Sequence, residues 1–160
     1  MKEMKFMLLA AMCMALFTFS SCSDDDNFQP EEVIQTALLA KYPNATRIEW
    51  EKKGSYLVAD CYVDNKDMEV WFTTDAQWKM SETELLPGDV PAAVTTALAA
   101  TNYANWRIDD RDLLQYPGKA DEFVIEVEQG NKEIDLYFSR EGDFLREKDV
   151  TTGDDTHWPE

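Results

Sequence analysis

Few residues of this chain are of a type and spacing that could do chemistry. Among 160 residues there is one histidine, His157, and there are three cysteines. Cys61 sits in the run Tyr56 to Val63, on the phase shared by Leu57, Ala59 and Val63. In a strand that phase is the buried face, so Cys61 is expected to be an inert core thiol rather than a nucleophile. His157 lies far along a polar tail and offers Cys61 no base. The acidic clusters Asp64-Asn65-Lys66-Asp67 and Asp109-Asp110-Arg111-Asp112 invite a metal reading. Both lack the alternating ligands, the glycine and the distal glutamate of a calcium loop, and a cation interrupts each. They read as solvated turn residues. A pair of glycosidase carboxylates would need a cleft and a shifted pKa, which sequence does not display. G-x-S-x-G, H-E-x-x-H, a phosphate-binding glycine loop and C-x-x-C are all missing from the sequence. The residue pattern therefore argues against an enzyme, and it implies no cofactor and no metal.

Aromatic residues set among carboxylates carry more content. If Leu57, Ala59, Cys61, Val70, Phe72, Phe123, Ile125, Leu136 and Phe138 face a helical layer, the intervening residues face away from it. Those are Tyr56, Val58, Tyr62, Trp71, Val124 and Tyr137, among Asp60, Glu69, Glu126, Glu128 and Asp135. Large rigid rings give contact area at little entropic cost, so Tyr56, Tyr62, Trp71 and Tyr137 are the candidate binding residues. Two other readings of the same side chains stand beside this one. Cross-strand aromatic pairs can simply stabilise an open sheet, or a tail carrying Trp158 can cover them. Trp and Tyr faces also stack on sugars, so a small-ligand or glycan site is the alternative to a protein partner. A groove with convergent polar groups would favour the ligand, and a broad flat face the protein.

The elements that must position these residues follow from periodicity. Pro30-Glu31-Glu32 opens a helix whose stripe is Val33, Ile34, Ala37, Leu38 and Tyr42, and Pro43 ends it. From Thr46 the period becomes two. Strands are expected over 47–52, 56–63, 68–74 and 78–84, with turns at Lys53-Gly54-Ser55, Asp64 to Asp67 and Asp75-Ala76-Gln77. Leu86-Pro87-Gly88-Asp89 is a joint. Pro91 opens a second helix with Val94, Ala97 and Leu98 on its stripe, and strands follow over 107–114, 122–128, 133–139 and near 144–150.

The second set echoes the first. Trp71, Phe72, Thr73 and Trp78 fall on Tyr137, Phe138, Ser139 and Phe144 at one offset of about 66 residues. Thr36-Ala37-Leu38 and Arg47-Ile48-Glu49 fall on Thr96-Ala97-Leu98 and Arg107-Ile108-Asp109 at about 60. The expected fold class is α+β: two tandem units, each a helix plus a four-stranded antiparallel meander, forming one sheet with the helices on one face. The segments Glu69 to Trp78 and Asp135 to Phe144 resemble the PepSY-like family, and the likeness extends over about residues 30–150. That resemblance implies a fold similar to the β-lactamase inhibitor protein, which binds an enzyme through its open sheet face. It also implies a link to PepSY domains, which are associated with restraint of peptidases. It supplies no catalytic residues.

The N-terminus gives the address. Lys2 and Lys5 precede an apolar run from Phe6 to Phe19, and small Ser20-Ser21 precede Cys22. This is a secretory signal, too short to span a bilayer stably. The residues before Cys22 resemble a bacterial lipobox, with Phe19 where Leu is usual, so Cys22 is expected to be lipidated; ordinary cleavage leaving a free thiol is the alternative. Ser23-Asp24-Asp25-Asp26 resembles the acidic tag that sends some Gram-negative lipoproteins to the outer face of the outer membrane. A simple solvated tether on the periplasmic face is the other reading. Several acyl chains, at about 0.8 kcal/mol per buried CH₂, would anchor the protein durably to the membrane. With Cys13 removed and Cys22 consumed, Cys61 is the remaining thiol and no intrachain disulfide is expected. A formal charge of −17 repels a phosphate backbone, so nucleic acid is not an expected partner. The expected partners are the membrane, through the lipid, and an unknown protein. The chain thus divides into a signal peptide over 1–21, an acidic tether over 22–29, units over 30–86 and 87–150, and a disordered tail over 151–160.

Overall fold

The computed structural model describes residues 28–153 and 156–159. The expected signal peptide, the lipidation site Cys22 and most of the acidic tether lie outside them. The elements are α1 (Glu32–Lys41), β1 (Thr46–Lys53), β2 (Tyr56–Val63), β3 (Lys66–Phe72), β4 (Trp78–Glu84), α2 (Ala92–Ala99), β5 (Arg107–Gln115), β6 (Glu122–Gln129), β7 (Lys132–Phe138) and β8 (Phe144–Asp149). All eight strands form one antiparallel sheet in chain order, with β4 pairing β5 across the connection that carries α2. No helix among the described residues is long and apolar enough to cross a membrane.

The helices are too short to be stable alone and are held by packing. Ile34 and Leu38 of α1 are buried against Leu57, Ala59, Cys61, Val70 and Phe72. Each such aliphatic side chain is worth about 1.5–3 kcal/mol of burial. Val94 and Leu98 of α2 lie in the same way on Phe123, Ile125, Leu136 and Phe138. Both sets of sheet residues are those expected to face the helices. Val33, expected in the α1 stripe, is 57% exposed because the stripe is narrow and centred on Ile34 and Leu38. Asp64-Asn65 forms the two-residue connection between β2 and β3, and both residues have positive φ (52° and 65°). That backbone matches the twist of a hairpin, and Asp and Asn tolerate it.

The connections after β3 and β7 share one geometry. Register shifts fall between Trp71 and Phe72 and between Tyr137 and Phe138. In the turns that follow, Thr73 N–H donates to Gln77 O and Ser139 N–H to Asp143 O, at 3.0 and 2.9 Å. These positions carry the sequence echo.

One expected boundary needs correction. The tail over 151–160 is not disordered at its described residues: His157 is buried, and Trp158 rests edge-on against Trp71 at 5.3 Å. The polar sequence hides this because the docking uses charge and two rings rather than a periodic apolar stripe.

Candidate functional site

The site is built on the sheet face opposite the helices. Alternation along β2, β3, β4, β5, β6 and β7 puts Val58, Trp71, Met80, Leu114, Tyr116, Val124 and Tyr137 there as a second apolar cluster, flanked by Tyr56. The same alternation aims carboxylates at this face two residues along each strand. Strand register then sets like charges directly opposite one another. Asp60 faces Glu69, Glu69 faces Glu82, Glu84 faces Asp112, Glu126 faces Asp135 and Glu128 faces Glu133. Like charges placed in this way destabilise a sheet. Some relief comes from Lys53, whose Nζ sits 2.8 Å from Glu69 and 3.1 Å from Glu51.

The C-terminal segment supplies further positive charge. His157 Nδ1 lies 2.9 Å from Glu82 Oε1, and its Nε2 lies 3.4 Å from Asp135 Oδ2. Burial alone would lower its pKa, but the contacts with Asp135 and Glu82 outweigh that and push it up to about 10. The imidazole ring also stands edge-on to Tyr137 at 5.9 Å. Asp112 is 8% exposed. Burial, with the charges of Glu82 and Asp110 added, pushes its carboxyl up to about 8. Burial likewise raises Glu69, against the opposing pull of Lys53.

The four expected binding residues are placed unequally. Trp71 is fully buried and Tyr137 is 4% exposed, so neither is the open contact residue that the alternation implied. They do face away from the helices. What closes over them is Tyr56, edge-on to Trp71 at 5.8 Å, together with Trp158, His157 and the Arg146 guanidinium, 3.8 Å from the Tyr137 ring centre. The Trp71 Nε1–H has no hydrogen-bond partner among the described residues. Tyr56 and Tyr62 are half-buried. Tyr62 lies apart from the cluster, donating its hydroxyl to Asp67 Oδ2 at 2.9 Å beneath Arg47.

The acidic run Asp109 to Asp112 is not a solvated turn. It lies within β5, where a register shift between Ile108 and Arg111 bends the strand, and Asp112 turns into the sheet face. Sequence reasoning weighed Asp112 and His157 separately and set both aside, and it missed Glu82. Extending the phase of Met80 and Leu114 by two residues would have put Glu82 and Asp112 on one face; nothing in the sequence brings His157 to them. Cys61 is 1% exposed beneath α1, and burial, with Asp60 adding to it, pushes its thiol up to about 11.

Residues 54–146 match the family described as "Putative beta-lactamase-inhibitor-like, PepSY-like". Among solved structures, a BLIP-like protein from Bacteroides fragilis is 54% identical, with a TM-score of 0.79 over 82% of this chain and 94% of its own. A DUF2874 family protein from Bacteroides uniformis is 30% identical, with a TM-score of 0.74 over 78% and 92%. A protein from Bacteroides eggerthii described as "putative periplasmic proteins" is also 30% identical, with a TM-score of 0.75 over 80% and 94%. No curated protein matches the chain.

Proposed function

Because the chain belongs to the PepSY-like, β-lactamase-inhibitor-like family, we propose that it is a non-catalytic cell-envelope lipoprotein that binds another protein through the sheet face opposite its helices. The observation that carries this reading is the run of carboxylates held face to face across β2, β3 and β4, Asp60 against Glu69 and Glu69 against Glu82, with Glu84 beside them and the covered aromatic cluster next to it. Such an arrangement costs stability in the free protein and is relieved by a cationic surface, which also gains steering and register from it. An inhibitor or an accessory subunit would act in this way. Lipidation at Cys22, with the acidic tether leading outward to the surface of the outer membrane, is part of the same proposal. The Bacteroides eggerthii relative, described as periplasmic, supports an envelope location and equally suits the periplasmic leaflet. The two halves are read as one unit used twice, since the turns at Thr73 and Ser139 repeat one hydrogen-bond pattern.

The test is crosslinking from whole cells with the native tether intact. Wild type is compared with a variant carrying Asp60→Asn, Glu69→Gln and Glu84→Gln. The proposal expects a protein captured by wild type and lost both in the variant and in about 1 M salt, where screening acts within ~3 Å. Equal capture by the two forms would sink it.

A second reading, a small-ligand or glycan binder, draws on a hollow of about 190 Å³ walled by Tyr116, Tyr137, Trp158 and Arg146. It falls below the roughly 300 Å³ at which ligand sites begin, so it would take a single small ring at most.

A further inference from the structure

Glu82, Asp112 and His157 each offer one ligand atom, and the three atoms lie within 4.8 Å of one another. We propose that His157 Nδ1 and the carboxylates of Glu82 and Asp112 form a site for one divalent transition cation, zinc by its donor set, which clips the C-terminal segment to the sheet. The proposal stands independently of the protein-binding reading. Imidazole nitrogen with two carboxylate oxygens suits zinc, and three protein ligands leave a fourth position for water.

Three features point beyond a cluster of acids. Asp112 is 8% exposed, and its ligand atom lies within 4.8 Å of those of Glu82 and His157. A carboxylate so placed is ionised only with a cation beside it. Asp135, 1% exposed, stands 3.4 Å behind His157 Nε2. No hydrogen bond is formed across that distance, but the negative charge there favours a proton on Nε2 and leaves the other ring nitrogen for a metal. Finally, Glu82 comes from β4, Asp112 from β5 and His157 from the tail, so metal binding would tie the chain end to the strand pair that joins the two halves of the sheet. Zinc–ligand bonds of about 2.0–2.2 Å put tetrahedral ligand atoms roughly 3.4 Å apart. Binding displaces to solvent the proton on Nδ1 and any proton on the Asp112 carboxyl.

The experiment is calorimetric titration of the detergent-solubilised full chain, stripped with chelator, with zinc chloride under millimolar magnesium that occupies weak carboxylate sites. Tryptophan fluorescence follows Trp158 on Trp71 in parallel. The expected result is saturation at one zinc per chain with a fluorescence change. In His157→Ala, with the sheet verified as folded by circular dichroism, affinity should fall by more than the roughly 10- to 100-fold that outer-shell partners are worth. Asp112→Asn should weaken binding as well. Failure to saturate at one equivalent, or equal affinity in His157→Ala, overturns the proposal and leaves His157 as a charge clamp only.

Discussion

Alanine at position 71 separates a buried indole from an exposed contact residue. Trp71 is fully buried at the centre of the second apolar cluster, touching Tyr56, Trp158 and the Lys53 ammonium, which lies 5.4 Å from its ring centre. Truncation leaves a cavity that β3, hydrogen-bonded on both sides, cannot collapse to fill. The cost is therefore that of a large core aromatic, about 3–5 kcal/mol. Against a typical total of about 5–15 kcal/mol, that is a large fraction of the stability. For a domain of this size it lowers Tm by roughly 10–20 °C. Trp71→Phe keeps a ring and removes an indole N–H that is buried without a partner, so its cost should stay below about 2 kcal/mol. Trp158→Ala, at a side chain 42% exposed, should cost near the worth of one aromatic pair, about 1 kcal/mol. Urea unfolding followed by circular dichroism gives all three values. A Trp71→Ala protein within about 1 kcal/mol of wild type would refute the burial argument and return Trp71 to the list of contact residues.

The other expectations concern titration, reactivity and one turn. In metal-free buffer His157, raised to about 10, contributes stability that is fully present below its ordinary value near 6.5 and is lost as pH rises through 10. Asp112, raised to about 8, loses its contribution as pH climbs from near 3.8 through 8, so the two effects share a sign. The urea midpoint should fall between pH 7 and pH 10, and His157→Ala should flatten that fall; a midpoint that rises would contradict both assignments. Cys61 should react with a thiol reagent only at the rate of unfolding, since its thiol is buried and titrates at about 11; prompt labelling of native protein would show that α1 does not cover it. Gly142→Ala should cost more than Gly130→Ala. Both glycines have positive φ, at a cost of about 1–2 kcal/mol, but a Cβ at 142 would also come 2.6 Å from Ala93 O of α2 while one at 130 meets nothing. Equal thermal shifts would mean that the β7–β8 turn does not press on α2.

How much of this was legible in sequence depends on the range over which each feature is decided. The helices, the eight strands and the two faces of the sheet follow from local periodicity, since Leu57, Val70, Phe123 and Leu136 alternate with Val58, Trp71, Val124 and Tyr137. Period two assigns a side chain to a face, so those assignments needed no partner strand. Register and closure are different, because they depend on residues distant in sequence. The phase of β4 and β5 aims Glu82 and Asp112 at a common face, yet only the β4–β5 pairing, with Glu84 opposite Asp112, brings the carboxylates together. Burial of Trp71 and Tyr137 was likewise invisible, because the cover over them includes a tail whose residues show no periodicity. His157 is held by two carboxylates, from β4 and β7, and by one aromatic ring, and electrostatic partners as far off as Glu82, 75 positions away, leave no mark in local sequence. What the chain alone determines is which side of the sheet each residue occupies; what lies over that side is decided by tertiary contacts, because burial is a property of the neighbours.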